Sequence, residues 1–253
     1  MKRVAAADLG IDAVQAQRTI LLPDIDWVEI PGGDFVFQEG ERRSLPTFYM
    51  ARYPVTNAQY RTFIDAGGYG DERWWRDLVR PEPEESRFPQ ANRPRTNVDW
   101  YEAVAFSRWL SEQLGYEVRL PTEEEWERAA RGQDGREYPW DEDYQTGYAN
   151  TDEKSFKVGR WYLAQTTAVG VYPQGASSEG VLDLAGNVWE WCLDKDAHPG
   201  QVEADTSGDR RVGRGGAWNY FSDFARGSRR VRGGPHDRSD DWGFRLVSSA
   251  LIS

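Results

Sequence analysis

Twelve tryptophans and 25 glycines are spread through a chain in which 29% of residues are charged. That combination constrains the fold more than any other feature. Glycine weakens helix interiors, while tryptophan brings a large ring that must be buried or used. Together they suit irregular loops pinned by aromatic anchors, not a helix bundle. With 253 residues, 39% of them hydrophobic, the chain can bury a sizeable core as one domain. No internal repeat or low-complexity linker divides it. A net charge of −11 speaks against nucleic acid as a partner, which would need a basic face. Cys192 is the sole cysteine, so no intrachain disulfide and no thiolate cluster can form. The run Met1–Asp8 lacks the apolar stretch of a signal peptide, and no segment has transmembrane length. A cytoplasmic protein without membrane insertion is expected.

A polar lead-in occupies residues 1–26, with a short helix expected around Asp8–Arg18, and one domain follows over 27–253. Trp27–Ile30 reads as a strand, Pro31–Asp34 as the turn into a second, Phe35–Phe37, and Phe48–Tyr53 as a third. Three helix starts then repeat one signature: Thr56 with Gln59, Asp99 with Glu102, and Thr122 with Glu125. Each is a capping box, in which cap and third residue satisfy free backbone N–H groups. After Asp99, Ala103, Phe106 and Leu110 share a face with Val104 alongside. After Thr122, Trp126, Ala129 and Ala130 do the same, and Gly132 can end the helix. From Gly135 onward Pro, Gly, Asp and Trp recur with no helical period. Long loops stitched by short strands are expected there.

The last part of the chain, 211–245, has an unusual composition. A frame of Arg214-Gly215-Gly216-Ala217-Trp218 and Gly243-Phe244-Arg245 brackets it. Between Asn219 and Asp241 there is no Glu, Lys, Gln, Met or Trp. Tyr, Phe, Ser, Asp, Arg, Val, Gly and His crowd the segment instead, a mixture suited to contacting a ligand.

Several strings together resemble the formylglycine-generating enzyme/sulfatase-modifying-factor family: Ile30-Pro31-Gly32-Gly33, Tyr53-Pro54-Val55-Thr56-Asn57, Arg119-Leu120-Pro121-Thr122-Glu123-Glu124-Glu125-Trp126, Tyr138-Pro139-Trp140 and Gly186-Asn187-Val188-Trp189-Glu190-Trp191. They span residues 27–248 in the family's order. The resemblance implies an α+β, C-type lectin-like fold, with short helices around small antiparallel sheets and much irregular structure.

The resemblance also implies chemistry that this chain does not match. The family's oxidases bind copper through two cysteines, which would fall near Tyr220 and Ala225 here, and neither is cysteine. A cuprous ion wants soft sulfur ligands. Cys192 lies away from that pair and reads as a small buried residue or a reactive thiol. Other members use iron held by histidines; His198 and His236 lack ligand spacing and read more simply as loop residues. No Ser/His/Asp set, P-loop or dinucleotide turn is present. Glu123–Glu125 suit a helix first turn, and Asp240-Asp241 is a second acidic pair. The resemblance further implies structural calcium, on the Asp183 and Glu190 carboxylates and the main-chain carbonyls of Gly186 and Val188. The alternative is that Glu190 pairs with an arginine.

A subset of this superfamily consists of the variable proteins of diversity-generating retroelements, whose 3′ ends are rewritten by substitution at template adenines. Asn codons altered in that way never yield Glu, Lys, Gln, Met or Trp, the five types absent here. Arg226, Arg230, Pro235 and Arg238 match that subset's framework positions. The resemblance then implies a ligand surface of Tyr220, Phe221, Asp223, Phe224, Arg229, Val231, Arg232, Gly233, Gly234, His236, Asp237, Ser239, Asp240 and Asp241. Its glycines could also be plain turn residues. Two classes remain open. One is a binding module for an unknown protein or other ligand, anchored by Tyr220, Phe221 and Phe224. The other is a metal-dependent oxidase of the same superfamily with a non-standard site.

Overall fold

The computed structural model describes residues 22–250 apart from Phe156, so the helix expected at Asp8–Arg18 lies outside the described residues. Nine strands and three α-helices are described: β1 (Trp27–Ile30), β2 (Gly33–Phe37), β3 (Glu41–Leu45), β4 (Phe48–Ala51), α1 (Asn57–Asp65), α2 (Trp100–Leu114), α3 (Glu123–Arg131), β5 (Trp189–Lys195), β6 (Arg211–Arg214), β7 (Arg230–Gly233), β8 (Trp242–Gly243) and β9 (Val247–Ser248). One sheet runs β1-β4-β9, a hairpin pairs β2 with β3, and a third sheet runs β7-β6-β5-β8. Pairing is antiparallel except between β5 and β8. This is the α+β architecture expected, with helices in the first half and loops in the second.

All three capping boxes form: the side chains of Thr56, Asp99 and Thr122 each accept from the third residue's backbone N–H, and their own backbone N–H groups donate to the side chains of Gln59, Glu102 and Glu125. The strand boundaries differ from expectation. The second strand begins at Gly33, and the third stops at Ala51. The strand β3 had no signal in the sequence, because Glu41 to Ser44 are polar and exposed and only Leu45 at its end is half-buried. Its pairing with β2 sustains it instead. Nor does β1 turn back on β2. At Gly32 a Cβ would lie 2.6 Å from the Thr47 nitrogen and 2.8 Å from the Leu45 carbonyl oxygen. Glycine lets those backbones pass, and β1 pairs with β4.

Two large cores hold most of the clustered apolar side chains, beside a smaller cluster of Tyr138, Ala149, Ala185 and Ala225. One packs Tyr60 and Phe63 of α1 against Phe106 and Trp109 of α2 and against Phe244, with ring centroids 5.4–6.2 Å apart. The other joins the β1-β4-β9 sheet to α3 through Ile30, Phe48, Met50, Trp126, Ala129 and Val212. Charges are buried with them: Arg211 and Arg214 of β6 lie with their guanidiniums over the rings of Trp100 and Trp126.

The α2 cap also shapes the pH dependence. Burial, followed by the charge of Glu102, pushes the Asp99 carboxyl up to about 7. An acid raised above its unfolded value of 3.8 favours the fold while protonated, so its contribution is lost as pH rises through 4 to about 7. Asparagine caps as well as aspartate. Asp99→Asn is therefore expected to raise stability at pH 8 by on the order of 1–3 kcal/mol and to flatten the decline between pH 4 and 7. Urea melts across that range check this, and an unchanged slope would refute it.

Candidate ligand-binding surface

The segment between the glycine-arginine frames is laid out by the four-stranded sheet. It leaves β6 through Gly215 and Gly216, at φ of 99° and 79°. A Cβ on Gly216 would meet the Phe224 carbonyl oxygen at 2.8 Å. One 3-10 turn, Ser222–Ala225, follows, and the chain returns as β7 before reaching β8.

Three arginines tie this path to the scaffold. Arg226 donates to Glu137 at 2.8 Å. Arg230 grips Glu123 with two bonds of 2.8 and 3.1 Å. Arg238 reaches Glu102 at 2.8 Å and Glu84 at 3.0 Å. Pro235 is buried, and its carbonyl accepts from Trp100 N–H, the first residue of α2. Beneath them Arg214, fully buried, pairs with Glu123 and Glu127 and donates to the carbonyls of Gly227 and Ser228. The four framework positions read from the sequence are thus fastening points.

Most residues between them face outward. Asp223, Arg229, Arg232, His236 and Asp237 are exposed, while Tyr220, Phe221, Phe224, Val231, Gly234, Ser239 and Asp240 are half-buried. Tyr220, Phe221 and Phe224 form one aromatic group, with centroids 5.0 Å apart for Tyr220–Phe224 and 4.8 Å for Phe221–Phe224. Tyr220 rests edge-on against Trp189 at 5.4 Å, and the Arg229 guanidinium lies over Phe224 at 4.4 Å. Burial raises the Tyr220 phenol. Arg232 is within 3.3 Å of Asp196, and Asp240 pairs with Arg87. A polar cleft of about 600 Å³ runs alongside, lined by Gln38, Arg131, Arg226, Arg229 and Arg230 among others.

Two of the expected surface residues are not on the surface. Gly233 is buried, and a Cβ there would sit 2.6 Å from the ring of fully buried Trp191. Asp241 is 5% exposed, accepts from the Asn219 side chain at 3.1 Å, and its main-chain oxygen takes the Trp189 N–H. Both follow from the sheet, since Gly233 ends β7 over Trp191 and Asp241 immediately precedes β8. Gly233→Ala is expected to cost about 1–3 kcal/mol by overpacking. At Gly234 an added Cβ would meet only the exposed Asp237 carboxylate, at 3.2 Å, so Gly234→Ser should shift stability by no more than about 0.5 kcal/mol. Thermal melts of the two variants check the contrast.

The structure also brings in residues that local spacing could not connect. Trp218 stacks with Tyr162 at 6.3 Å and meets Phe88 edge-on at 5.9 Å. Trp242 packs on Trp191 at 4.0 Å. Tyr162 and Phe88 lie 56 and 130 positions before Trp218 along the chain, so only the fold places them at this rim.

The positions tied to metal chemistry are placed as follows. Tyr220 is half-buried just before the 3-10 turn, and Ala225, the last residue of that turn, is fully buried. Cys192 is buried in the second core and burial pushes its thiol well up, so the structural alternative holds for it. His198 and His236 are exposed, the latter against the Tyr101 ring at 4.9 Å. Among the described residues no group of three His, Cys, Asp or Glu side chains could hold a metal ion.

The calcium positions depend partly on main-chain oxygens. Asp183 is buried, and desolvation with a contribution from the charge of Glu190 pushes its carboxyl up to about 6. Gly186, at φ 75°, offers a carbonyl that also accepts from Val188 N–H. Glu190 fits a cation least. Its Oε2 accepts from Arg245 at 2.6 Å and Trp126 at 2.7 Å, and its Oε1 accepts from Arg245 at 2.7 Å. The arginine pairing allowed for from the sequence is what Glu190 makes.

Comparison with known proteins agrees with this geometry at the level of fold and family. The chain is 33% identical over 240 residues to hercynine oxygenase of Mycolicibacterium thermoresistibile, covering 80% of this chain and 51% of the relative. It therefore spans about half the length of that oxygenase. It is 30% identical over 278 residues to the inactive C-alpha-formylglycine-generating enzyme 2 of Mus musculus, covering 88% of this chain and 85% of the relative. Treponema denticola variable protein 1 superposes with a TM-score of 0.69 at 24% identity, over 92% of this chain and 98% of that one, which establishes a shared fold. The model of the sulfatase-modifying factor enzyme 1-like domain matches residues 14–250. The chain belongs to the sulfatase-modifying factor enzyme 1-like domain family.

Proposed function

We propose that this protein is a non-catalytic ligand-binding module, the variable protein of a diversity-generating retroelement, displaying a changeable surface on a rigid scaffold. The observation that carries the reading is the division of labour within 219–241. Arg226, Arg230, Pro235 and Arg238 are fastened to the scaffold and Ser222, Ala225, Gly227, Gly233 and Asp241 are buried, whereas the other residues of the segment reach solvent. A surface so built can change its side chains at little cost to the fold, as antibody loops do. The aromatic group of Tyr220, Phe221 and Phe224 offers anchors, and Arg229 and Arg232 would select acidic or planar groups. The resemblance in fold to a protein titled variable protein 1 supports the same reading.

The enzyme reading draws on the identity to hercynine oxygenase, but Tyr220 and Ala225 stand where the copper-binding oxidases of the family have cysteine. Two measurements separate the readings. A near-copy of the coding segment, differing only at adenines and lying beside a reverse-transcriptase gene, is expected downstream. Its absence would end the diversification claim. Copper-loaded protein is expected to leave a cysteine-containing peptide unoxidised, and turnover would restore the oxidase reading. Calcium remains part of the proposal as a loop-fixing ion on Asp183 and the carbonyls of Gly186 and Val188, with Glu190 the weakest contributor.

A further inference from the structure

One loop outside the segment has a surface of the opposite character to the rest of the chain. Val158, Trp161, Tyr162 and Leu163, close together in sequence, are 45%, 55%, 38% and 43% exposed. Two of the chain's four lysines, Lys154 and Lys157, lie in the same loop with Arg160. All three cations are exposed, and among the described residues none is in an ion pair, although the chain carries a net charge of −11.

The loop is anchored at its base. Glu153 is fully buried and accepts from Tyr144 at 2.9 Å, Gly147 N–H at 2.8 Å and Thr146 at 2.5 Å. Its own N–H reaches the Trp161 carbonyl at 3.0 Å. The loop also abuts the C-terminal surface, since Asp152 N–H donates to the Tyr220 carbonyl at 2.8 Å and Tyr162 stacks on Trp218. Tyr162 thus joins the loop to Trp218, and the Asp152–Tyr220 bond sets its base beside the group of Tyr220, Phe224 and the overlying Arg229.

Resting on the binding-module reading, we propose that Lys154 and residues 157–163 form a constant second wall of the ligand site, fitted to polypeptides that carry carboxylates beside aliphatic or aromatic side chains. Exposed Trp and Tyr beside Arg160 match what recurs at the centres of protein interfaces, and the two lysines supply a cationic rim for a partner's carboxylates. An extended anionic surface is a poorer occupant. A membrane or nucleic acid would present many charges to a chain of the same sign. A peptide's few carboxylates feel only the charges within a Debye length of about 8 Å.

The test selects a random phage-displayed peptide library on the full chain, then measures the enriched peptides on three variants. These are Lys154→Glu/Lys157→Glu/Arg160→Glu, Trp161→Ser, and Phe224→Ser/Arg229→Ser. The loop positions are exposed, so unchanged melting temperatures are expected for their variants. Enriched peptides should combine Asp or Glu with Leu, Ile or Phe, and should bind each loop variant about ten-fold or more weakly, with rising salt acting in the same direction. Peptides that lose affinity on the Phe224/Arg229 variant alone would overturn the loop proposal and leave the binding module standing. Failure to enrich any peptide would count against both. Binding of the wild type, but not the charge-reversed variant, to phosphatidylserine-containing vesicles would overturn the commitment to a polypeptide.

Discussion

Glu190→Ala is expected to destabilise the protein by about 3–5 kcal/mol, a large share of the roughly 5–15 kcal/mol that holds an ordinary domain folded. Glu190 and Arg245 are both fully buried, and their double hydrogen bond is joined by the indole N–H of Trp126, a member of the second core. Removing the carboxylate leaves a guanidinium and an indole N–H without their acceptor in a medium that cannot solvate them. The same guanidinium donates to the carbonyls of Ala51, Arg52 and Leu182, so it ties β4 to the loop before β5. The prediction also separates two roles for Glu190. If pairing is its work, Arg245→Met combined with Glu190→Leu should be no worse than the poorer single variant, with a coupling of about 2 kcal/mol or more. If calcium held by Glu190 were its work, the two losses would add. Chelation would then lower the wild-type melting temperature as much as Glu190→Ala does. Melts of wild type, the two single variants, the double variant and Glu190→Ala, with and without chelator, decide between these outcomes.

What could be read in the sequence follows how local each signal is. The capping boxes at Thr56, Asp99 and Thr122 are satisfied within four residues of chain, and all three formed as expected. Strand β3 could not be read because its residues carry no apolar alternation, and its stability comes from β2 across the hairpin. Within the candidate site, Arg226, Arg230 and Arg238 could be picked out by position, but their partners Glu137, Glu123 and Glu102 come from distant parts of the chain. Gly233 and Asp241 looked like neighbours of Arg232 and Asp240 in composition. They are buried because alternation along β7 and the pairing of β8 turn them inward, and composition does not report on which face a residue lies. Tyr162 and Phe88 reach the rim by tertiary packing alone.

The second large effect concerns Glu127, which is fully buried on α3 and serves two arginines at once. Arg131 donates to it at 2.6 Å and Arg214 donates to its other oxygen, while the backbone N–H of Gln38 adds a third bond. Glu127→Ala would leave two buried guanidiniums sharing one fewer anion, and a loss of about 3–5 kcal/mol is expected. Glu127→Gln keeps an oxygen acceptor but not the charge and should fall between alanine and wild type. The consequence extends to the surface, because Arg214 holds the carbonyls of Gly227 and Ser228 at 2.7 and 3.2 Å. Amide hydrogen exchange over 226–230 should therefore speed up in Glu127→Ala before the rest of the molecule opens. Replacing the exposed Asp223, Arg232, His236 and Asp237 together by serine should do neither, each change costing no more than about 0.5 kcal/mol. A scaffold that tolerates four outward changes and fails at one inward carboxylate is what a changeable surface requires. Comparable losses from both variants would show that the segment is ordinary packing and not a display platform.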